Sequence, residues 1–191
     1  MFKLTGKILS TLASLIILLG FVLYYYFNQS SGVNKSVDIS REYVIVKRVV
    51  DGDTFLLSNG DRVRLLGIDT PEKYDSKKLD KDVEATHQDK KTIKKLGELA
   101  SEYVKNFVEG KKVYLEREPN YEDKDRYGRL LRWVYLEDGT FINGKIVKDG
   151  YGQVYEQYPV SKTDELRKYQ KEARENNRGL WGPVDGLEQF K

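Results

Sequence analysis

The dipeptide Asn59-Gly60 constrains the fold of this chain more than any other feature. Both residues accept the positive φ that a two-residue hairpin turn demands, so residues 54–57 and 62–68 are expected to pair as antiparallel strands. Just upstream, residues 42–50 (EYVIVKRVV) are β-branched and apolar enough for another strand, closed by the Asp51-Gly52 turn. The hairpin therefore carries Asp53 and Asp69 toward the outer ends of neighbouring strands, where two carboxylates can meet.

Residues 72–91 are rich in Lys and Asp without a clear period and read as a long surface loop. After them Leu96, Leu99, Ala100, Tyr103, Val104, Phe107 and Val108 fall at helical spacing, with Gly110 as the stop. Residues 112–118 and 130–136 are two more strands, and the second closes at Asp138-Gly139. Residues 142–148 and 163–176 read as helices, with Gly179 ending the last. Five short strands with one helix after the third and two at the end predict an α+β fold. A closed barrel of the OB-fold kind suits them best. The folded part shows no repeats and no glycine-rich phosphate loop.

Residues 8–27 carry no charge across 20 positions. As a helix they would reach roughly 30 Å, the thickness of a hydrocarbon layer. Lys3 and Lys7 precede them, so residues 1–7 are expected to stay cytoplasmic and 8–27 to form a transmembrane signal-anchor. A cleaved secretory signal is the rival reading; the aromatic end Tyr24-Tyr25-Tyr26-Phe27, with no small-x-small site directly after it, speaks against it. Residues 28–40 are a polar, turn-rich linker, and 41–191 make one domain's worth of chain. Cys is absent, which excludes disulfides and thiolate-held metals. The net charge is +3, and Lys3 and Lys7 supply two of those charges. The folded part is nearly balanced, so an anionic partner must be met by local placement of charge.

Taken singly, the charged residues near the hairpin have ordinary explanations. Asp51 and Asp53 suit a solvated turn, Asp69 can close the turn before Pro71, Glu72 can be a loop acid, and Arg64 and Arg129 can be surface cations. Together they suggest chemistry. Two carboxylates at adjacent strand ends can hold one hard divalent ion, with an incomplete shell left for water and substrate. Arginine forks match phosphate oxygens, and an acid beside them can activate water. One objection is geometric: Arg64 and Asp69 are five residues apart, which puts them on opposite faces of a continuous strand. A bulge or a strand end would remove it. His87 reads as an incidental loop residue; lysines 73, 77, 78, 81, 90, 91, 94 and 95 could touch a nucleic-acid backbone, but interspersed acids blunt this and a plain solvated loop is the preferred reading.

The words VVDGDTF, VRLLGIDTPE, GELASEYVKNF, DKDRYGRLLRWVY, INGKIVKDGYGQV and YQKEARENNRGLWG, in this order, resemble the staphylococcal (micrococcal) nuclease, or thermonuclease, family. The resemblance covers roughly residues 43–182. It implies a five-stranded OB-type barrel with three helices and a calcium-dependent endonuclease that cuts DNA and RNA to 3′-phosphate products. Carried over residue by residue, it makes Asp53, Asp69 and the Thr70 carbonyl the Ca²⁺ ligands, with Asp51 an acid close behind them. Glu72 becomes the general base, Arg64 and Arg129 the phosphate clamps, and Tyr127 and Tyr158 the neighbours of the bound nucleotide. The segment after Glu72 is longer here than in the best-known member, so the placement of Glu72 depends on how that segment folds. A catalytically inactive OB-type nucleic-acid or protein-binding module is the alternative, although the charged set is whole. A monomer is expected, held at the cell membrane by a single pass with the catalytic domain outside, or secreted if the leader is cut.

Overall fold

The computed structural model describes residues 42–183 and, alone upstream, Gly20. Apart from that glycine, the expected cytoplasmic terminus, signal-anchor and linker of residues 1–40 lie outside the described residues. Among the described residues no helix is long and apolar enough to cross a membrane.

Five strands close into a barrel in the order β1-β2-β3-β6-β5. They are β1 (Tyr43–Asp51), β2 (Thr54–Leu57), β3 (Arg62–Leu65), β5 (Lys112–Glu116) and β6 (Leu130–Leu136). The Asn59-Gly60 turn joins β2 to β3 as expected, with Phe55 opposite Val63, and Gly60 takes φ +92°. β3 pairs with β6 in parallel, and the other barrel pairs are antiparallel. Phe55, Leu57, Val63, Leu65, Trp133 and Val134 belong to one core cluster and are essentially fully buried.

The third strand is shorter than its sequence suggests. It stops at Leu65, the chain turns at Gly67 with φ +69°, and Ile68–Asp69 forms β4, which pairs with β7 (Gln153–Val154) outside the barrel. A side chain at Gly67 would meet Leu166 Cδ1 at 2.7 Å as well as requiring the left-handed backbone. Buried Asn143 secures the opening between β3 and β6. Its amide donates to the carbonyls of Leu66 (3.0 Å) and Arg132 (3.3 Å), while its oxygen accepts from Val134 N (3.0 Å).

The expectation of a loop over residues 72–91 is corrected: the segment holds a helix, α1 (Lys77–Thr86). Ser76 Oγ caps it by accepting from Leu79 N, and His87 ends it with a left-handed φ of 58°. Leu79 is fully buried. Burying such a side chain contributes about 1.5–3 kcal/mol, enough to hold a short polar helix against its neighbour. That neighbour, α2 (Lys90–Val108), also starts earlier than the apolar spacing suggests, because Asp89 caps it through Lys91 N and Thr92 N. With α3 (Ile142–Lys148) and α4 (Thr163–Glu175) the described residues contain four α-helices, where three were expected. A 3₁₀ turn, Gly179–Trp181, follows α4.

Candidate active site

β2, β4 and the β3 hairpin arm converge on one charged cluster at the barrel rim. Asp53 precedes β2 and is 6 % exposed, and Asp69 ends β4 and is 9 % exposed. Acids this buried need partners. Asp53 Oδ1 accepts from Thr54 Oγ1 (3.0 Å), and its Oδ2 accepts from the amide and hydroxyl of Thr70, both at 3.2 Å. Arg64 Nη2 lies 3.2 Å from Asp53 Oδ2 and 3.1 Å from Asp69 Oδ1, so one guanidinium nitrogen bridges the two carboxylates. Arg64 Nη1 donates to the carbonyls of Leu65 (2.9 Å) and Ile68 (2.8 Å), which fixes the fork. The odd spacing of Arg64 and Asp69 is harmless because the turn at Gly67 separates their strands.

Arg129 arrives from the β5–β6 connection on the same rim. Its Nη1 reaches Thr54 Oγ1 at 3.5 Å, one hydroxyl away from Asp53. The Asp125 carboxylate builds this turn by accepting from Tyr127 N, Arg129 N and Arg129 Nε at 2.9, 3.0 and 2.7 Å. Tyr127 is 68 % exposed. Its ring carries the guanidinium carbons of Arg126 and Arg129 at 4.9 and 5.4 Å.

Glu72 stands at the foot of the α1 segment. Its Oε1 accepts from Lys73 N (3.0 Å) and Tyr74 N (3.1 Å), and Oε2 from Ser76 Oγ (3.1 Å). A carboxylate offers about four acceptor sites, so this network aims Glu72 and still leaves capacity for a water. From behind, α2 presses Gly97 against the same backbone. A Cβ there would sit 2.7 Å from Glu72 C and from Pro71 O.

Asp51 lies behind the cluster, accepting from Gly52 N and Ser101 Oγ. Burial pushes its carboxyl up to about 7, with the charges of Asp53 and Glu72 adding to the rise. Burial also raises Asp69 to about 6; Lys78 and Arg64 work against the rise and Asp53 with it. Tyr158 is exposed, and its ring centre sits 5.9 Å from that of Tyr155.

Three contributors escaped the sequence reading. Lys78 Nζ donates to the Thr70 carbonyl at 2.7 Å and pairs with Asp69 Oδ2 at 3.3 Å and Asp82 Oδ2 at 3.4 Å. Tyr155 is tied to Gly67 O through its amide (2.9 Å), and burial raises its phenol, with the charge of Asp69 adding to it. Asp125 orders the Arg129 turn. The available signals were Ser76 as a cap, the Lys78/Asp82 spacing of one helical turn, and the first tyrosine in VYEQYP.

The donor set fits a hard divalent cation. Oxygens of Asp53 and Asp69 lie within 3.2 Å of one nitrogen, and Asp69 Oδ2 and the Thr70 carbonyl already converge on a single ammonium. Among the described residues no three acid or imidazole side chains cluster closely enough to hold an ion by themselves, so the carbonyl, water and substrate would complete the shell.

Comparison with known proteins identifies the family. The profile of the family described as "Staphylococcal nuclease homologue" matches residues 62–183. The chain is 32% identical over 186 residues to a thermonuclease of Staphylococcus intermedius, covering 94% of this chain and 98% of that protein. It is 30% identical over 187 residues to a thermonuclease of Staphylococcus hyicus, with the same two coverages. An uncharacterized endonuclease of Escherichia coli is 36% identical over 143 residues, 73% of this chain and 77% of its own length. The chain belongs to the staphylococcal nuclease homologue family and is a phosphodiester-hydrolysing nuclease.

Proposed function

We propose that this nuclease is a calcium-dependent endonuclease that cleaves DNA and RNA on the 5′-oxygen side and leaves 3′-phosphates. The observation that carries the reading is the Arg64 Nη2 bridge between Asp53 and Asp69, with Arg129 one hydroxyl away on the same rim. Asp53, Asp69 and the Thr70 carbonyl would hold Ca²⁺, with Asp51 supporting them. Bound there, the ion supplies Lewis-acid polarisation of a phosphate oxygen.

The chain's own groups do the rest. Arg64 and Arg129 present guanidinium forks that stabilise the charge gathering on the equatorial phosphate oxygens, more in the transition state than in the ground state. Glu72 orients water and accepts its proton. Guanidinium groups with a pKa above about 12 are poor acids, so the leaving oxygen takes its proton from water. Tyr127, backed by two arginines, and Tyr158 offer faces on which a nucleobase can stack. These groups address phosphate or a base face, so base readout is slight.

Residues 8–27 would anchor the monomeric chain in the cell membrane with the catalytic domain outside, where calcium is abundant and the substrate is extracellular nucleic acid. Incubating the chain with single- and double-stranded DNA and with RNA, in calcium, magnesium or chelator, tests the reading. Cleavage in calcium alone, with 3′-phosphate ends, is expected. Undiminished cleavage in chelator, or 5′-phosphate ends, would overturn it. Intact-mass analysis of the mature protein tests retention of the anchor.

A further inference from the structure

Resting on the metal reading above, we propose that Lys78 is a tethered cation that competes with the divalent ion and sets the calcium concentration at which the site loads. Its ammonium binds the Thr70 carbonyl at 2.7 Å and Asp69 Oδ2 at 3.3 Å, two of the oxygens assigned to the metal. Calcium sits about 2.3–2.6 Å from its oxygen ligands. Both cations therefore draw on the same lone pairs from the same side, and like charges cannot share that position.

The placement of Lys78 is built rather than incidental. Ser76 caps α1, buried Leu79 pins its first turn, and this fixes the Lys78 backbone beside the pocket. Asp82, one turn further along, takes the ammonium at 3.4 Å and so provides a seat next to the metal oxygens. The lysine side chain is 37 % exposed, which gives it an open route outward when a divalent ion arrives. While seated, it offsets the repulsion between Asp69, Asp53 and Asp82 and keeps the oxygens gathered. A competitor that occupies the site for most of the time lowers apparent affinity by the fraction of molecules that are open. The helix inserted after Glu72 thus raises the calcium threshold of the nuclease.

The experiment is calorimetric titration of Ca²⁺ into the full chain, comparing wild type, Lys78→Gln, Lys78→Met and Lys81→Gln. The last removes one charge from the exposed side of the same helix. Thermal unfolding in chelator and in calcium runs in parallel. Both Lys78 variants are expected to bind Ca²⁺ about tenfold more tightly. They should melt at a lower temperature in chelator and gain more than wild type on adding calcium, while Lys81→Gln stays near wild type. If the wild type binds Ca²⁺ and the Lys78 variants bind equally or more weakly, the inference is wrong and the metal reading stands. An equal gain in Lys81→Gln would make the effect one of net charge and also overturn it. If no protein in the set binds Ca²⁺, the metal reading itself fails.

Discussion

Arg64 and Asp69 touch, at 3.1 Å between Nη2 and Oδ1, because the chain between them leaves one strand and enters another. The turn at Gly67 rotates Asp69 back over the barrel rim, where the same nitrogen also holds Asp53 at 3.2 Å. Arg64 thereby serves three masters: the carbonyls of its own turn, the paired acids, and the phosphate proposed to bind beside them. Lysine has one nitrogen and cannot do all of this. Arg64→Lys should lower kcat about 10²- to 10³-fold, the range seen when one preorganised donor to a developing anion is lost. Steady-state kinetics on a short oligonucleotide checks it; a kcat within twofold or so of wild type would show that the fork is dispensable.

Gly97 positions Glu72 from a distance in sequence. A methyl at this site meets Glu72 C and Pro71 O at 2.7 Å and Lys73 N at 2.8 Å, all backbone atoms that cannot rotate away. Overpacking costs about 1–3 kcal/mol, and the better helix propensity of alanine returns up to about 1. Gly97→Ala should therefore fold with slightly reduced stability in urea, yet lose about 10- to 100-fold in kcat as Glu72 shifts. Full activity would mean that the contact does not aim the acid.

Ser76 joins the cap of α1 to Glu72, the proposed general base, since its Oγ accepts from Leu79 N and donates to Glu72 Oε2, both at 3.1 Å. Ser76→Ala should cost about 1 kcal/mol, the usual loss of a helix cap. It should also lower kcat by more than that stability loss explains, while Ser76→Thr restores most of both. Chemical denaturation and kinetics on the same samples separate the two effects.

The pH dependence has a definite sign. Asp51, raised to about 7 from 3.8 chiefly by burial, keeps its proton in the folded protein where the unfolded chain has released it. Its contribution to stability is full below the ordinary value and is lost as pH rises through about 7. Asp51→Asn removes that loss and can keep the hydrogen bond from Ser101. Relative to wild type in chelator, the variant should gain stability steadily between pH of about 4 and about 7. Urea denaturation across this range checks it; a constant difference would contradict the assignment.

The strand pairing and the carboxylate pair were legible because they depend on local chemistry: Asn59-Gly60 fixes the turn and the alternation of apolar residues fixes the faces. Asp53 and Asp69 could be placed near one rim for the same reason, whereas strand alternation argued against Arg64 beside Asp69, and Arg64 and Arg129 received their clamp roles only through the family resemblance. The break at Leu65 was not legible, since residues 62–68 read as one continuous apolar strand and only tertiary pairing of β4 with β7 ends it early. α1 was hidden by composition. Its stability rests on one buried leucine and one serine cap, too sparse a pattern to stand out among lysines and acids. Lys78 was hidden with it, because the ammonium acquires meaning only once the helix carries it to Thr70 and Asp69.

The central claim is that Glu72, aimed by three donors at the foot of α1, activates the water that attacks the phosphate. Single-turnover cleavage of a labelled oligonucleotide by Glu72→Gln at saturating calcium tests it most directly, with oligonucleotide affinity measured alongside. The account predicts a rate lower by about 10²-fold or more at unchanged affinity. Wild-type cleavage by Glu72→Gln would contradict it.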